Sequence, residues 1–149
     1  MTSLLIFIAT GGFSGYLPKA PGTWGSLVGL ALFLVLGRLD LSLYLAVVGG
    51  LLVAGFFAAG SAEKILDKKD PGAVVIDEIV GMLVTLTGAP MRWYSLVAGF
   101  LLFRFFDILK PFPVCWADRR CNGGIGIMLD DVLAGLYALG CLWLLRLLL

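Results

Sequence analysis

The chain has 149 residues, 60% of them apolar and 14% charged, against about 45–50% and 25% in an ordinary soluble domain. That excess is more than one water-soluble core can bury, so a single integral-membrane domain over residues 1–149 is expected. Eleven basic against ten acidic side chains leave no polybasic footprint for nucleic acid, and the absence of histidine excludes a phosphohistidine, a Ser-His-Asp triad and a histidine zinc site.

At the N-terminus, "LLIFIA" lacks a basic flank and is too short for a signal-peptide core, so the chain is expected to keep this end. A spanning helix takes about 20 mainly apolar residues. The first candidate is Ala20–Gly37, where "APGTWGS" reads as a glycine-bracketed turn and helix is expected from about Thr23. Thr23 and Ser26 offer hydroxyls there, for helix capping or for a phosphate. Leu41–Ala62 is the clearest span, closed by Glu63 and Lys64. Ala73–Ala89 spans only if Asp77 and Glu78 are tolerated near its start. Trp93–Leu109 is apolar until Arg104 and Asp107, and Ile125–Leu149 is interrupted by Asp130, Asp131 and Arg146. The fold expected is an all-α, polytopic transmembrane bundle of about four to five helices. Cys115, Cys121 and Cys141 have no metal-ligand spacing and read as small apolar fillers.

Threading the five spans alternately gathers Lys19, Lys64, Lys68, Lys69, Lys110, Arg119 and Arg120 on one side, with Arg38, Arg92 and Arg146 opposite. The positive-inside rule makes the first side cytoplasmic. Asp77, Glu78, Asp107, Asp130 and Asp131 fall at that same end, so a site at the cytoplasmic membrane face is expected. Both acid pairs are expected to open a helix, where its dipole contributes about 0.3–1 kcal/mol per acid.

Intramembrane carboxylates cost roughly 2.5–3.5 kcal/mol each on insertion scales and need a neutralising partner. An oxygen-only ligand set selects a hard cation, and Mg²⁺ accepts one or two carboxylates beside waters and substrate phosphate. Metal ligands are expected from Asp77, Glu78, Asp130 and Asp131. Adjacent helical residues diverge by about 100°, so one acid of each pair is expected to bind directly while the other takes a second ion, a water or a basic neighbour. "FRFFDILKPFP" sets Arg104, Asp107 and Lys110 at helical spacing before Pro111 ends the helix. That face can orient an acid and present cations to a phosphate. "DRRCNGGIGIMLDD" adds Asp118, Arg119, Arg120 and a glycine-rich turn whose N–H groups suit an anion. A hard-metal site, cations and N–H-rich turns at one membrane face imply phosphoryl chemistry on a lipid head group.

In order, "PGTWGS", "DPGAVVIDEIVGM", "FRFFDILKPFPV" and "NGGIGIMLDDVLAGL" resemble the phosphatidylglycerophosphatase A family of bacterial membrane lipid phosphatases. The resemblance implies a Mg²⁺-dependent enzyme of the inner membrane that converts phosphatidylglycerophosphate to phosphatidylglycerol and phosphate. It carries the acidic motif onto Asp77 and Glu78, the second pair onto Asp130 and Asp131, and the aromatic-basic block onto Arg104, Asp107 and Lys110. Asp70 and Gly72 match the turn before the acidic motif. The expected chemistry is attack by metal-activated water without a phosphoenzyme, with Asp77, Glu78, Asp107, Asp130 and Asp131 catalytic. Arg104, Lys110, Arg119, Arg120, Thr23 and Ser26 are expected to bind substrate. The competing readings are a phosphatase for another lipid phosphate, a small ion-conducting or transport bundle, and an assembly subunit whose charged face docks a partner.

Overall fold

Where an apolar run is bounded by charges or by proline and glycine, the chain is helical. The computed structural model describes residues 2–148. It contains α1 (Thr2–Ala9), a 3-10 turn (Ser14–Tyr16), α2 (Pro21–Leu36), α3 (Leu41–Ile65), α4 (Ile76–Thr85), α5 (Trp93–Leu109), α6 (Val114–Arg120) and α7 (Gly123–Leu148), with no strand among the described residues. The all-α expectation holds, and α5 has the predicted bounds. α3 starts at Leu41 because Asp40 caps it, its carboxylate accepting from the Leu43 N–H at 3.0 Å. α2 starts at Pro21 rather than Thr23: proline at the first helical position lacks a donor that would be unpaired anyway. α1 and α6 were not expected, and Leu149, the end of the last predicted span, lies outside the described residues.

Two helices, Leu41–Ile65 and Gly123–Leu147, are long and apolar enough to cross a membrane. The predicted third span is corrected. Its helix covers only ten residues, Ile76–Thr85, about 15 Å and half of a hydrocarbon core. α4 is instead the buried centre of the fold, with Ile79, Val80, Met82 and Leu83 in the core and its most extensive packing against α7 and α2. A helix that stops inside the bundle leaves carbonyls without partners, which is tolerated only where protein satisfies them. Here the Leu83 carbonyl accepts from the buried Tyr44 hydroxyl at 2.6 Å and from the Thr87 hydroxyl at 3.3 Å, and the Met82 and Val84 carbonyls accept from the Leu86 and Thr87 N–H groups at 3.2 Å each. Gly88 then turns the chain with a positive φ of 68°.

Glycine sets how closely the other helices approach α4. A Cβ on Gly25 would lie 2.7 Å from the Val75 Cβ, and one on Gly29 would lie 2.8 Å from the Met82 Cβ. The "PGTWGS" stretch is therefore a helical packing face and not a turn. The same correction applies to "NGGIG". α7 begins at Gly123, Gly124 and Gly126 are helical and buried, and a Cβ on Gly124 would run into the α3 backbone at Phe56 and Gly60. Small residues let helix backbones meet in this way.

Candidate functional site

The ends of α2, α4, α5 and α7 converge with α6 and the α3–α4 loop around a cavity of about 470 Å³. Asp77, Glu78, Asp107, Lys110, Asp130 and Asp131 all line it. The acids thus meet at one end of the bundle, as alternate threading of the apolar runs expects.

Their depth differs from expectation. Asp77 and Glu78 do occupy the first turn of α4. Asp130 and Asp131 do not open a helix, because no acid lies in the first turn of α7. They sit two turns in, about 10 Å from its start at 1.5 Å per residue, beyond the reach of the terminal dipole. Both are nonetheless buried, at 7% and 4% exposure, so something else must offset their charge.

For Asp130 that is Lys110. α5 ends at Lys110 in the left-handed region with φ 45°, and Pro111 prevents continuation. Its ammonium then donates to Asp118 Oδ1 at 2.6 Å and Asp130 Oδ2 at 2.8 Å, tying α5, α6 and α7 together. Partial burial alone would lower the Lys110 pKa, but these two hydrogen bonds and the charges behind them push it up. Lys110 is therefore a fixed cation. Arg104 acts similarly within α5, donating through Nη1 to Asp107 Oδ2.

Asp131 has no such partner. Oxygens of Asp77, Glu78 and Asp131 lie within 4.8 Å of one another. One oxygen of each (Asp77 Oδ1, Glu78 Oε2 and Asp131 Oδ2) is buried without any hydrogen-bond partner among the described residues. Three carboxylates that converge and each carry an orphaned oxygen fit a bound cation, since unpaired buried charges are otherwise strongly unfavourable. The donors are all oxygen, which suits a hard divalent ion. The expectation that adjacent acids must diverge holds for Asp130 and Asp131 and is corrected for Asp77 and Glu78. The longer Glu78 side chain reaches back to the same spot, over Gly22, where a Cβ would lie 2.5 Å from Glu78 Oε1 and 3.0 Å from Arg104 Nη1.

Of the six predicted substrate-binding residues only Lys110 lines this cavity; Arg104 stands behind the lining, paired with Asp107, and four others are placed elsewhere. Ser26 is fully buried and donates to the Gly22 carbonyl of its own helix at 2.8 Å. Thr23 lies in the first turn of α2 outside the cavity lining, and Arg119 and Arg120 are exposed at the end of α6. Conversely, Glu63, Lys69, Asp70 and Asp118 line the wall. Glu63 and Lys69 carried only topological meaning in the sequence. Asp118 meets Lys110 across the proline turn, a contact that no helical spacing announces.

The model of the phosphatidylglycerophosphatase A family matches residues 7–146, nearly all of the chain. A phosphatidylglycerophosphatase A of Haemophilus influenzae is 41% identical over 133 residues, covering 88% of this chain and 82% of that protein. A phosphatidylglycerophosphatase A of Escherichia coli is 38% identical over 137 residues, covering 91% and 80%. A Bacteroides thetaiotaomicron protein described as a putative phosphatidylinositol-3-phosphatase is 41% identical over 143 residues, covering 91% and 89%. No solved structure is significantly similar. The family match runs from α1 to the end of α7 and so takes in every helix that lines the acidic cavity: the chain belongs to the phosphatidylglycerophosphatase A family.

Proposed function

We propose that this chain is a Mg²⁺-dependent phosphatidylglycerophosphatase of the bacterial inner membrane, hydrolysing the terminal phosphomonoester of phosphatidylglycerophosphate to phosphatidylglycerol and phosphate. The observation that carries the reading is the trio of orphaned, buried carboxylate oxygens on Asp77, Glu78 and Asp131. These three residues would hold the ion. When bound, Mg²⁺ supplies positive charge for the phosphoryl oxygens and lowers the pKa of water.

The chain's own residues do the rest. Lys110 and Arg104 each hold one oxygen, Oδ2, of Asp130 and Asp107, leaving Oδ1 of each to accept a proton from the attacking water. As the water oxygen bonds to phosphorus, the bond between phosphorus and the glycerol oxygen breaks, and that oxygen leaves with the proton that one of these carboxylates took from the water. Lys69, on the cavity wall with no ion pair among the described residues, is the cation best placed to meet the anionic head group. Arg119 and Arg120 are assigned to the surface, as head-group-level anchors of α6.

In this reading α2, α3, α5 and α7 cross the membrane, α4 starts at the depth of Asp131 and its loop continues to the opposite end beside Trp143 and Arg146, and the cavity faces the cytoplasm. The basic residues at the cavity end support that orientation. Phosphate release by the purified protein from phosphatidylglycerophosphate in mixed micelles tests the proposal. Activity should require Mg²⁺, stop in EDTA, and fall at least about a hundredfold in Asp77→Asn. Equal release by the variant would remove the site assignment. The relative described as a phosphatidylinositol-3-phosphatase favours a second reading, a different lipid phosphomonoester in the same cavity. Phosphatidylinositol 3-phosphate belongs in the same assay, and faster turnover of that lipid would decide for it.

A further inference from the structure

A second cavity, of about 610 Å³, lies at the opposite end of the bundle between the α4–α5 loop, the start of α5 and the end of α7. Residue 131 is fifteen residues from Arg146 on α7, about 22 Å along the axis, so this cavity is remote from the acidic one. Its chemistry is inverted. Ala98, Leu142 and Leu145 give it an apolar lining, and its charged residues are two arginines, Arg92 and Arg146. Ser95 and Leu142 in the lining are buried, at 6% and 8% exposure, so the space is recessed and not a flat belt.

Among the described residues neither arginine meets a carboxylate, and the ion pairs there all lie at the acidic end. Arg92 Nη1 donates to the Tyr94 hydroxyl at 2.8 Å, while Arg146 Nη1 donates to the Gly88 carbonyl at 3.4 Å and lies over the Trp143 ring, 5.0 Å from its centre. Each guanidinium has five N–H donors, so both keep most of theirs free. An arginine that only anchors a helix at an interface extends away from the protein toward water. Arg146 instead lies back on Trp143 and the Gly88 carbonyl, beside the same cavity as Arg92. Two uncompensated guanidiniums beside an apolar recess complement an amphiphile with one negative head and a hydrocarbon tail.

We propose that this cavity binds an anionic phospholipid of the leaflet opposite the acidic site, with its phosphate on Arg92 and Arg146 and an acyl chain along Ala98, Leu142 and Leu145. The inference rests on the membrane crossing proposed above but not on the phosphatase activity, and its test uses no turnover. Protein in neutral detergent with EDTA is titrated with dihexanoyl phosphatidylserine or dihexanoyl phosphatidylcholine while the thermal midpoint is followed. The serine lipid should bind about tenfold more tightly, about 1.4 kcal/mol, and inorganic phosphate should give no shift. Arg92→Gln/Arg146→Gln should bind both lipids alike. Equal affinity for the two lipids in the unaltered protein overturns the proposal, as does a preference that survives in the double variant. A shift with inorganic phosphate alone overturns it too, since that marks a generic anion site. Should the double variant fail to fold, Ser95→Leu fills the recess without touching either charge. It should weaken both lipids, and unchanged binding there also overturns the proposal.

Discussion

Replacing Asp131 with asparagine should make the protein more stable without metal and inactive with it. The three clustered carboxylates offer oxygens within 4.8 Å of one another. Two unit charges at that separation repel by about 3.5 kcal/mol at an effective dielectric constant of about 20. Asp131 is 4% exposed and has no basic partner, so solvent screens little of this. In metal-free protein the substitution removes one member of the repelling set. The gain stays below that figure, because protonation of one acid already relieves some of the repulsion. A stabilisation of 1 kcal/mol raises the melting midpoint of a chain this size by about 2–4 °C.

With Mg²⁺ the order reverses. At one hundred times its dissociation constant a ligand stabilises by about 2.7 kcal/mol, which corresponds to a rise of about 5–11 °C in the unaltered protein. Asp131→Asn lacks a ligand and should show little of that rise. The assay is thermal unfolding in detergent, in EDTA and across a Mg²⁺ series, run beside phosphate release. A variant that melts lower than the unaltered protein in EDTA, or keeps the full Mg²⁺ response, would refute the metal assignment. Loss of activity alone would not support it, since a merely structural acid could cause that.

Lys110→Met removes the shared partner of Asp118 and Asp130 and should destabilise by about 3 kcal/mol, the low end for a broken buried pair, because the lysine keeps 31% of its side chain in solvent. Chemical denaturation checks it, and a loss under about 1 kcal/mol, the range of an exposed pair, would show that the ammonium is not holding α7. Tyr44→Phe removes the 2.6 Å donor to the Leu83 carbonyl at the buried end of α4, which keeps the Thr87 hydroxyl at 3.3 Å, and should cost about 1 kcal/mol, read from the same denaturation curves. Ser26→Ala should leave kcat/KM within about twofold, because the hydroxyl is spent on its own helix; a tenfold fall, about 1.4 kcal/mol, would return Ser26 to the substrate.

The start of α3 and both bounds of α5 were readable because the apolar run meets a hard boundary there, Asp40 for one, Arg92 and Lys110-Pro111 for the other. α3 runs on through Glu63 and Lys64 to Ile65, because charged residues at a helix end continue it as readily as they close an apolar run. The convergence of the acids was readable because alternate threading of apolar runs fixes which ends meet, whatever the packing. The length of α4 was not. An apolar run cannot distinguish a helix that spans from one buried inside the bundle. α4 ends ahead of Gly88, at positive φ, and its end is met by a tyrosine of α3, a contact across 39 residues. Glycine misled twice, since "PGTWGS" and "NGGIG" have turn composition yet are helical, their missing side chains admitting α4 and α3 at close range. Sequence spacing also separated Asp130 from Asp131 correctly while assigning both to metal. Only the Lys110 contact divides them, one acid held by an ammonium and one left in the orphaned trio.

The low start of α4 is what makes the site possible. α7 runs for 26 residues, about 39 Å, and its acids sit two turns below its start, where its own dipole no longer acts. A full-length neighbour starting level with α7 would put its N-terminus about 10 Å above Asp131. α4 starts lower, at the depth of Asp131, with Asp77 and Glu78 in its first turn. The unpaired N–H groups of that turn thereby reach an acid cluster that a spanning helix could not serve. The far end of α4 is buried in the bundle, and Tyr44 and Thr87 are where the Leu83 carbonyl finds donors. The buried acids and the low start of α4 answer one electrostatic problem, and a change that shifted that start toward the end of the bundle would carry Asp77 and Glu78 away from Asp131.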